Sequence, residues 1–254
     1  MNINHYLPMV NHNDIPPHEL EDMHQKPRPK VNESGGLCQP DCDICLGLGY
    51  VRVGNGLLEF CPRLSMWDRP GSHLYGLHQA EASELRWENI FQDNNIEKAV
   101  EVVKHTIDKG YGWVFIHGSF GLGKTVLLKT AVAETLQKKI NASYVRMAEI
   151  LDHLRQGFSD IGTSETERLS WWSKIPVLAI DEFDRIRLSE YAEERRFVLM
   201  DRRYELALRN EGATIIASNS APNGLPGYLF DRIRDGRFHI VELTGKSWRP
   251  GLEW

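Results

Sequence analysis

"WVFIHGSFGLGKT", residues 113–125, decides how the rest of the chain is read. The apolar run "WVFIHG" (113–118) reads as a strand, and it enters a glycine-rich loop. The loop ends on Lys124–Thr125, at the head of the strongly helical pattern "KTVLLKTAVAETLQKK" (124–139). The spacing fits G-x-x-x-x-G-K-[ST], with Gly118, Gly123, Lys124 and Thr125 at the fixed positions and Ser119, Phe120, Gly121 and Leu122 between them. A chance glycine-rich turn would not carry a strand before it and a helix after it. In such a loop the glycines let backbone N–H groups face a phosphate, and the helix N-terminus adds partial positive charge. Lys124 is the candidate for the β- and γ-phosphates of ATP, and the Thr125 hydroxyl is a candidate Mg²⁺ ligand.

About fifty residues on, "IPVLAIDE" (175–182) is a second apolar run that ends in acid. Asp181 at its end is placed to hold Mg²⁺ through water. Glu182 is placed to orient and polarise an attacking water. Alone, the segment also fits a strand closing in a solvated acidic turn; Asp184 reads as a supporting or surface charge. The strand "ATIIASN" (213–219) brings Ser218 and Asn219 to the same end of the sheet, where parallel sheets place ligands. Asn219 is the first candidate for the γ-phosphate or the lytic water, and Ser218 is its competitor.

Outward from these motifs the chain alternates short strands with helices. Further strands are read at 142–147 and 238–244, and helices at 148–158, 189–211 and 227–236. The expected fold is α/β, a parallel sheet flanked by helices, beginning near residue 87 and running to 254. Residues 66–86 read as a linker with some helix. Residues 1–36, polar and proline-rich, read as a disordered arm. The chain has 254 residues, enough for one such domain and a small module. Its net charge of -5 argues against binding nucleic acid by bulk attraction. No apolar run spans a bilayer and no signal-peptide pattern opens the chain, so a cytoplasmic protein with no membrane partner is expected.

All four cysteines, Cys38, Cys42, Cys45 and Cys61, fall in residues 37–65. In an intracellular chain this reads as metal rather than disulfide. Gly47 and Gly49 after the Cys42–Cys45 pair suggest a knuckle whose N–H groups turn toward thiolates. Asn55–Gly56 marks a hairpin that would return Cys61 beside Cys45. Four thiolates then close a structural zinc site; free thiols or an iron–sulfur cluster are the alternatives.

With these residues in hand, the chain resembles the AAA+ class of P-loop ATPases, and within it the DnaC/DnaI-type replicative helicase loaders. "RWENIF" (86–91), "MDRRYELALRNEGATIIASNS" (200–220) and "LFDRIRDG" (229–236) carry the likeness, which spans roughly residues 86–250. IstB-type transposition ATPases share much of the pattern. The resemblance implies ATP hydrolysis, self-association through the nucleotide sites, a replicative hexameric DNA helicase as partner, and contact with single-stranded DNA. It implies that Arg232 reaches a neighbouring subunit's nucleotide, against the alternative of surface pairing with Asp231, Asp235 or Glu242. It also implies that a zinc-binding N-terminal module meets the helicase. Arg234 and Arg237 read as structural or partner contacts. "KSWR" (246–249) resembles a short loader segment in which Arg249 is a candidate sensor. Direct signs of DNA binding are weaker. Lys138, Lys139, Arg146 and Trp171–Trp172 read first as a solvated helix end and core, and "EERR" and "DRR" on the long helix as an exposed mixed-charge face. Two other readings stay open, a transposition ATPase and an ATP-gated adaptor with little hydrolysis.

Overall fold

The computed structural model describes residues 37–53, 58–69, 72–90, 94–157, 164–185 and 189–248. The arm read at 1–36, the Asn55–Gly56 turn and Arg249 lie outside these. No helix among the described residues is long and apolar enough to cross a membrane. Contacts divide the chain into two units, with the division between Leu74 and Tyr75.

In the first unit, β1 (Tyr50–Arg52) and β2 (Leu58–Phe60) pair antiparallel, with Tyr50 opposite Phe60 and Val51 opposite Glu59. The hairpin expected from the sequence is therefore formed. The Tyr50 and Phe60 rings stack with centroids 5.0 Å apart, the kind of cross-strand aromatic pair that helps fix register.

The second unit runs α1 (Gln79–Glu84), α2 (Asn94–Lys109), β3 (Tyr111–Gly118), α3 (Lys124–Gln137), β4 (Ala142–Arg146), α4 (Met147–Gln156), α5 (Glu165–Lys174), β5 (Val177–Asp181), α6 (Glu190–Leu208), β6 (Gly212–Ser218), α7 (Gly227–Ile233) and β7 (His239–Leu243). The strands order as β4-β5-β6-β3-β7, every pair parallel. This is the expected α/β fold. Trp113 to Ile116 are all buried, so both faces of β3 are covered, as parallel strands between helical layers require.

Two helices were not expected individually. Ile96, Ala99, Val100, Val103 and Ile107 form one buried stripe along α2, the spacing of an amphipathic helix. At the start of α5, the Ser164 hydroxyl accepts the Glu167 N–H (3.2 Å) and the Glu167 carboxylate accepts the Ser164 N–H (2.7 Å). That reciprocal pair satisfies two N–H groups a helix start leaves open.

The expectation of an exposed charged face on α6 is overturned in part. Arg196 and Arg203 are 2% and 0% exposed. They fall in register with Ala192, Leu199, Met200 and Ala207, on the side of the helix that packs inward. Arg203 donates through Nη1 to Ser173 O (3.0 Å) and Ile175 O, through Nε to Thr214 Oγ1 (3.0 Å), and through Nη2 to Ala213 O. Its fork thus ties the end of α5 to the start of strand β6, and burial pulls its pKa down to about 9. Arg196 lies over the Phe183 ring, 5.7 Å from its centroid. Trp172 is core, its indole N–H donating to His153 Nδ1 (2.9 Å), with Trp171 packed edge-on to it. Lys138 pairs with Asp108 at an exposed helix end.

Candidate nucleotide and metal sites

The loop between β3 and α3 sits at the C-terminal end of the sheet, beside the ends of β5, β6 and β7. Lys124 is buried, and its Nζ donates to the carbonyls of Gly118 and Ser119, 2.7 Å each. Gly121 holds φ at +79°, and a Cβ there would lie 2.0 Å from Ser247 Oγ. Only glycine fits both the left-handed backbone and the close approach. The chain after β7 crosses this loop, with the Trp248 N–H donating to Gly121 O (2.9 Å). So the "KSW" part of the late segment lies against the phosphate loop.

Asp181 ends β5 and is 4% exposed. Three donors converge on it. The Thr125 hydroxyl (2.7 Å) and the Tyr144 hydroxyl (2.9 Å) both give to Oδ2, and the Glu182 N–H (2.8 Å) gives to Oδ1. The two oxygens proposed for magnesium, from Thr125 and Asp181, are therefore adjacent, and their hard-oxygen chemistry suits that ion. Glu182 is held at φ +48°, a left-handed conformation that strains a residue bearing a Cβ and is kept where surrounding structure enforces it. Its carboxylate lies 3.3 Å from Arg185 and 3.8 Å from Arg146.

Asp184, read from sequence as a supporting or surface charge, joins the ends of β5 and β6. It accepts the N–H groups of Asn219 and Ser220, 3.1 Å each, and the Ser220 hydroxyl (2.9 Å). Burial alone would raise its carboxyl, but these bonds hold it below the ordinary range. Ser218 is buried and its hydroxyl serves Ser220, giving to its carbonyl (2.9 Å) and receiving its N–H (3.0 Å). Asn219 is half-buried; its backbone N–H serves Asp184, while its side-chain amide has no hydrogen-bond partner among the described residues.

Arg232, in the last turn of α7, is paired with Asp201 of α6 in the same chain. It lies between the Phe197 and Tyr204 rings, 5.5 and 5.2 Å from their centroids. Asp201 was not among the acids expected to compete for it. Arg234 is exposed over Phe230. Arg237 binds Asp235, and that pair holds the Asp235 carboxyl far below the ordinary range.

In the first unit the four sulfurs lie within 4.8 Å of one another, all buried, and none is in a disulfide. Cys42 and Cys61 are 3.7 Å apart. A tetrahedral ion with metal–sulfur bonds of about 2.3 Å needs edges of about 3.8 Å, so the donor set fits a four-thiolate centre with Cys38 as fourth ligand. Gly49, at φ +86°, directs its N–H to Cys45 Sγ (3.3 Å). The N–H groups of Cys45 and Ile44 bring Cys42 down to about 7, toward the thiolate that a metal takes. Burial raises Cys38 to about 12, as a neutral thiol does when no cation is beside it.

Strand-ending acids, a phosphate loop opening a helix and an all-parallel five-strand sheet define a P-loop ATPase domain of the AAA+ class. A profile of the bacterial DnaA ATPase domain matches residues 90–240, and the chain belongs to that family. The match begins beyond the cysteines. The chromosomal replication initiator protein DnaA of Aquifex aeolicus is 26% identical over 170 residues, which cover 63% of this chain and 40% of that protein. A structure of replication initiator DnaA bound to AMPPCP and single-stranded DNA is 25% identical, with TM-score 0.53, over 65% of this chain and 51% of the other. The DnaI structure, 21% identical with TM-score 0.54, shares the fold over 68% of this chain and 95% of its own. The chain thus spans only two fifths of its curated DnaA relative and about half of the DnaA structure.

Proposed function

We propose that this protein is an ATP-driven loader of a replicative DNA helicase. The observation that carries the reading is the pairing of a DnaA-type ATPase core, with both acidic and phosphate-loop motifs, and a separate four-cysteine unit ahead of it. The near-complete cover of DnaI supports it at the level of fold. Zinc, held by Cys38, Cys42, Cys45 and Cys61, would stabilise the small unit. Ile44, Leu46, Leu48 and Leu58 there are exposed, an apolar set suited to gripping a protein partner.

In the core, Lys124 exchanges its carbonyl partners for the β- and γ-phosphates of ATP. Thr125 and Asp181 would hold magnesium, which would neutralise phosphate charge. Glu182 polarises the attacking water, and Asn219 stands at the next strand end to orient it or the γ-phosphate. Arg232 reaches the nucleotide of a neighbouring copy, leaving Asp201 to do so; an arginine supplied this way adds on the order of 10³-fold or more in rate. Single-stranded DNA is the track on which the helicase is placed.

The test is co-purification of the full chain, with ATP and magnesium, against a hexameric helicase and against a transposase, beside Glu182→Gln. Retention of the helicase with at least a hundredfold loss of turnover in the variant is expected. Retention of a transposase instead selects the transposition ATPase. Unchanged turnover in Glu182→Gln removes Glu182 as the base and leaves a nucleotide-gated adaptor.

A further inference from the structure

Tyr144 is absent from every motif that defines the nucleotide site, yet it touches the acid at its centre. It sits on β4 opposite Ala179, two residue pairs before Arg146 meets Asp181 in the β4–β5 register. From there its hydroxyl gives a 2.9 Å hydrogen bond to Asp181 Oδ2, the same oxygen that Thr125 binds. The residue is 6% exposed, and the hydrogen bond itself is buried.

We infer that Tyr144 is a positioning residue for the metal-binding carboxylate: it fixes which lone pairs of Asp181 remain free for magnesium. This rests on the reading of Thr125 and Asp181 as the magnesium ligands. A carboxylate on a single χ1 and χ2 can rotate. Here Oδ1 is tied to the Glu182 N–H and Oδ2 to two hydroxyls, one from α3 and one from β4. When Thr125 turns its hydroxyl toward a metal, Tyr144 is the donor that stays. Loss of that donor leaves Oδ2 free to swing, and the ion then meets a carboxylate that must be oriented as it binds.

The ring itself is braced. Lys129 of α3 stands over it, 5.2 Å from the centroid, and the same ammonium pairs with Glu81 of α1 (2.5 Å). Behind it, Gly76 packs on the Tyr144 carbonyl so closely that a Cβ would lie 1.7 Å from that oxygen. A tyrosine serving only to fill space needs neither a brace of this kind nor a hydroxyl aimed at the acid.

The experiment is AMPPCP binding by calorimetry to wild type and Tyr144→Phe, titrated with magnesium, beside ADP binding in excess chelator. Phenylalanine keeps the ring and its packing. The magnesium concentration at half-saturation is expected to rise about tenfold or more, as loss of one hydrogen bond to a charged group implies. Metal-free ADP binding stays at the wild-type value, and the melting temperature falls by no more than the few degrees that one buried hydrogen bond implies. An unchanged magnesium requirement overturns the inference, and so does an equal loss with and without metal, which marks a structural role. Should wild type show no magnesium dependence, the ligand reading of Thr125 and Asp181 falls, and the inference with it. Thr125→Ala separates the cases, because it lowers magnesium dependence whether or not Tyr144 matters.

Discussion

The two units of this chain solve the problem of staying folded by opposite means. Around the cysteines the buried cluster is four thiols and Leu64, with Leu37, Val51 and Phe60 leaning on it. The ATPase unit closes over a continuous core of large side chains, from Trp113 and Phe115 on β3 to Leu229 and Ile233 on α7. Each buried aliphatic or aromatic side chain there contributes about 1.5–3 kcal/mol, and strands paired on both sides satisfy their own backbone. So few apolar groups do not do this for the cysteine unit; on the proposed reading a bound metal would. One region is then stable by composition, the other by ligand chemistry.

Stripping the metal should break the comparison most visibly. Chelation, or Cys42→Ser, is expected to melt the β1–β2 hairpin outright, because binding free energy on the order of 10 kcal/mol is then missing from folding. Limited proteolysis within 37–74 would report it, while AMPPCP affinity of the second unit stays within about twofold. Equal loss in both units would mean that they are one cooperative body.

Next in size is Arg203→Met. The substitution keeps the bulk but removes the donors that Ser173 O, Ile175 O, Ala213 O and Thr214 Oγ1 share. Leaving such groups unpaired in the core should cost about 3 kcal/mol or more, read as a lower urea midpoint with an unchanged slope. A neutral result would show that packing alone carries this end of the sheet.

Acid separates the regions more finely. The Asp184 carboxyl is depressed in the fold, so its contribution is present above the unfolded value of about 3.9 and fades as pH falls through that value and below. Asp184→Asn should cost about 1 kcal/mol at neutral pH, and the gap between variant and wild type should narrow as pH falls below the unfolded carboxyl value of about 3.9. Thiolates take up protons well above the carboxylate range, so metal should leave the cysteine unit at higher pH than the core weakens.

The strand–loop–helix at 113–125 and the acid pair at 181–182 were legible because their chemistry needs fixed residue types at fixed spacing. So was the cysteine unit, whose ligands are a spacing pattern in themselves. The buried arginines were not, because "EERR" and "DRR" look like solvent-facing charge. Their register was the available sign: Arg196 and Arg203 stand four and eleven residues after Ala192, on the stripe that also holds Leu199, Met200 and Ala207. Tyr144 and Asp184 escaped for a different reason. Their partners lie 37 and 35 or more residues away in sequence, and only strand register brings them together. The cis partner of Arg232, Asp201, is hidden likewise, 31 residues away across α6 and α7.

The strap formed by Ser247 and Trp248 over Gly121 has one last implication. A shared contact makes the posture of the phosphate loop and the seating of the late chain two faces of a single equilibrium. By reciprocity, a nucleotide that favours one loop posture by some factor changes the tail's docking by that same factor. Whatever tugs at the tail, in turn, retunes the grip on the nucleotide.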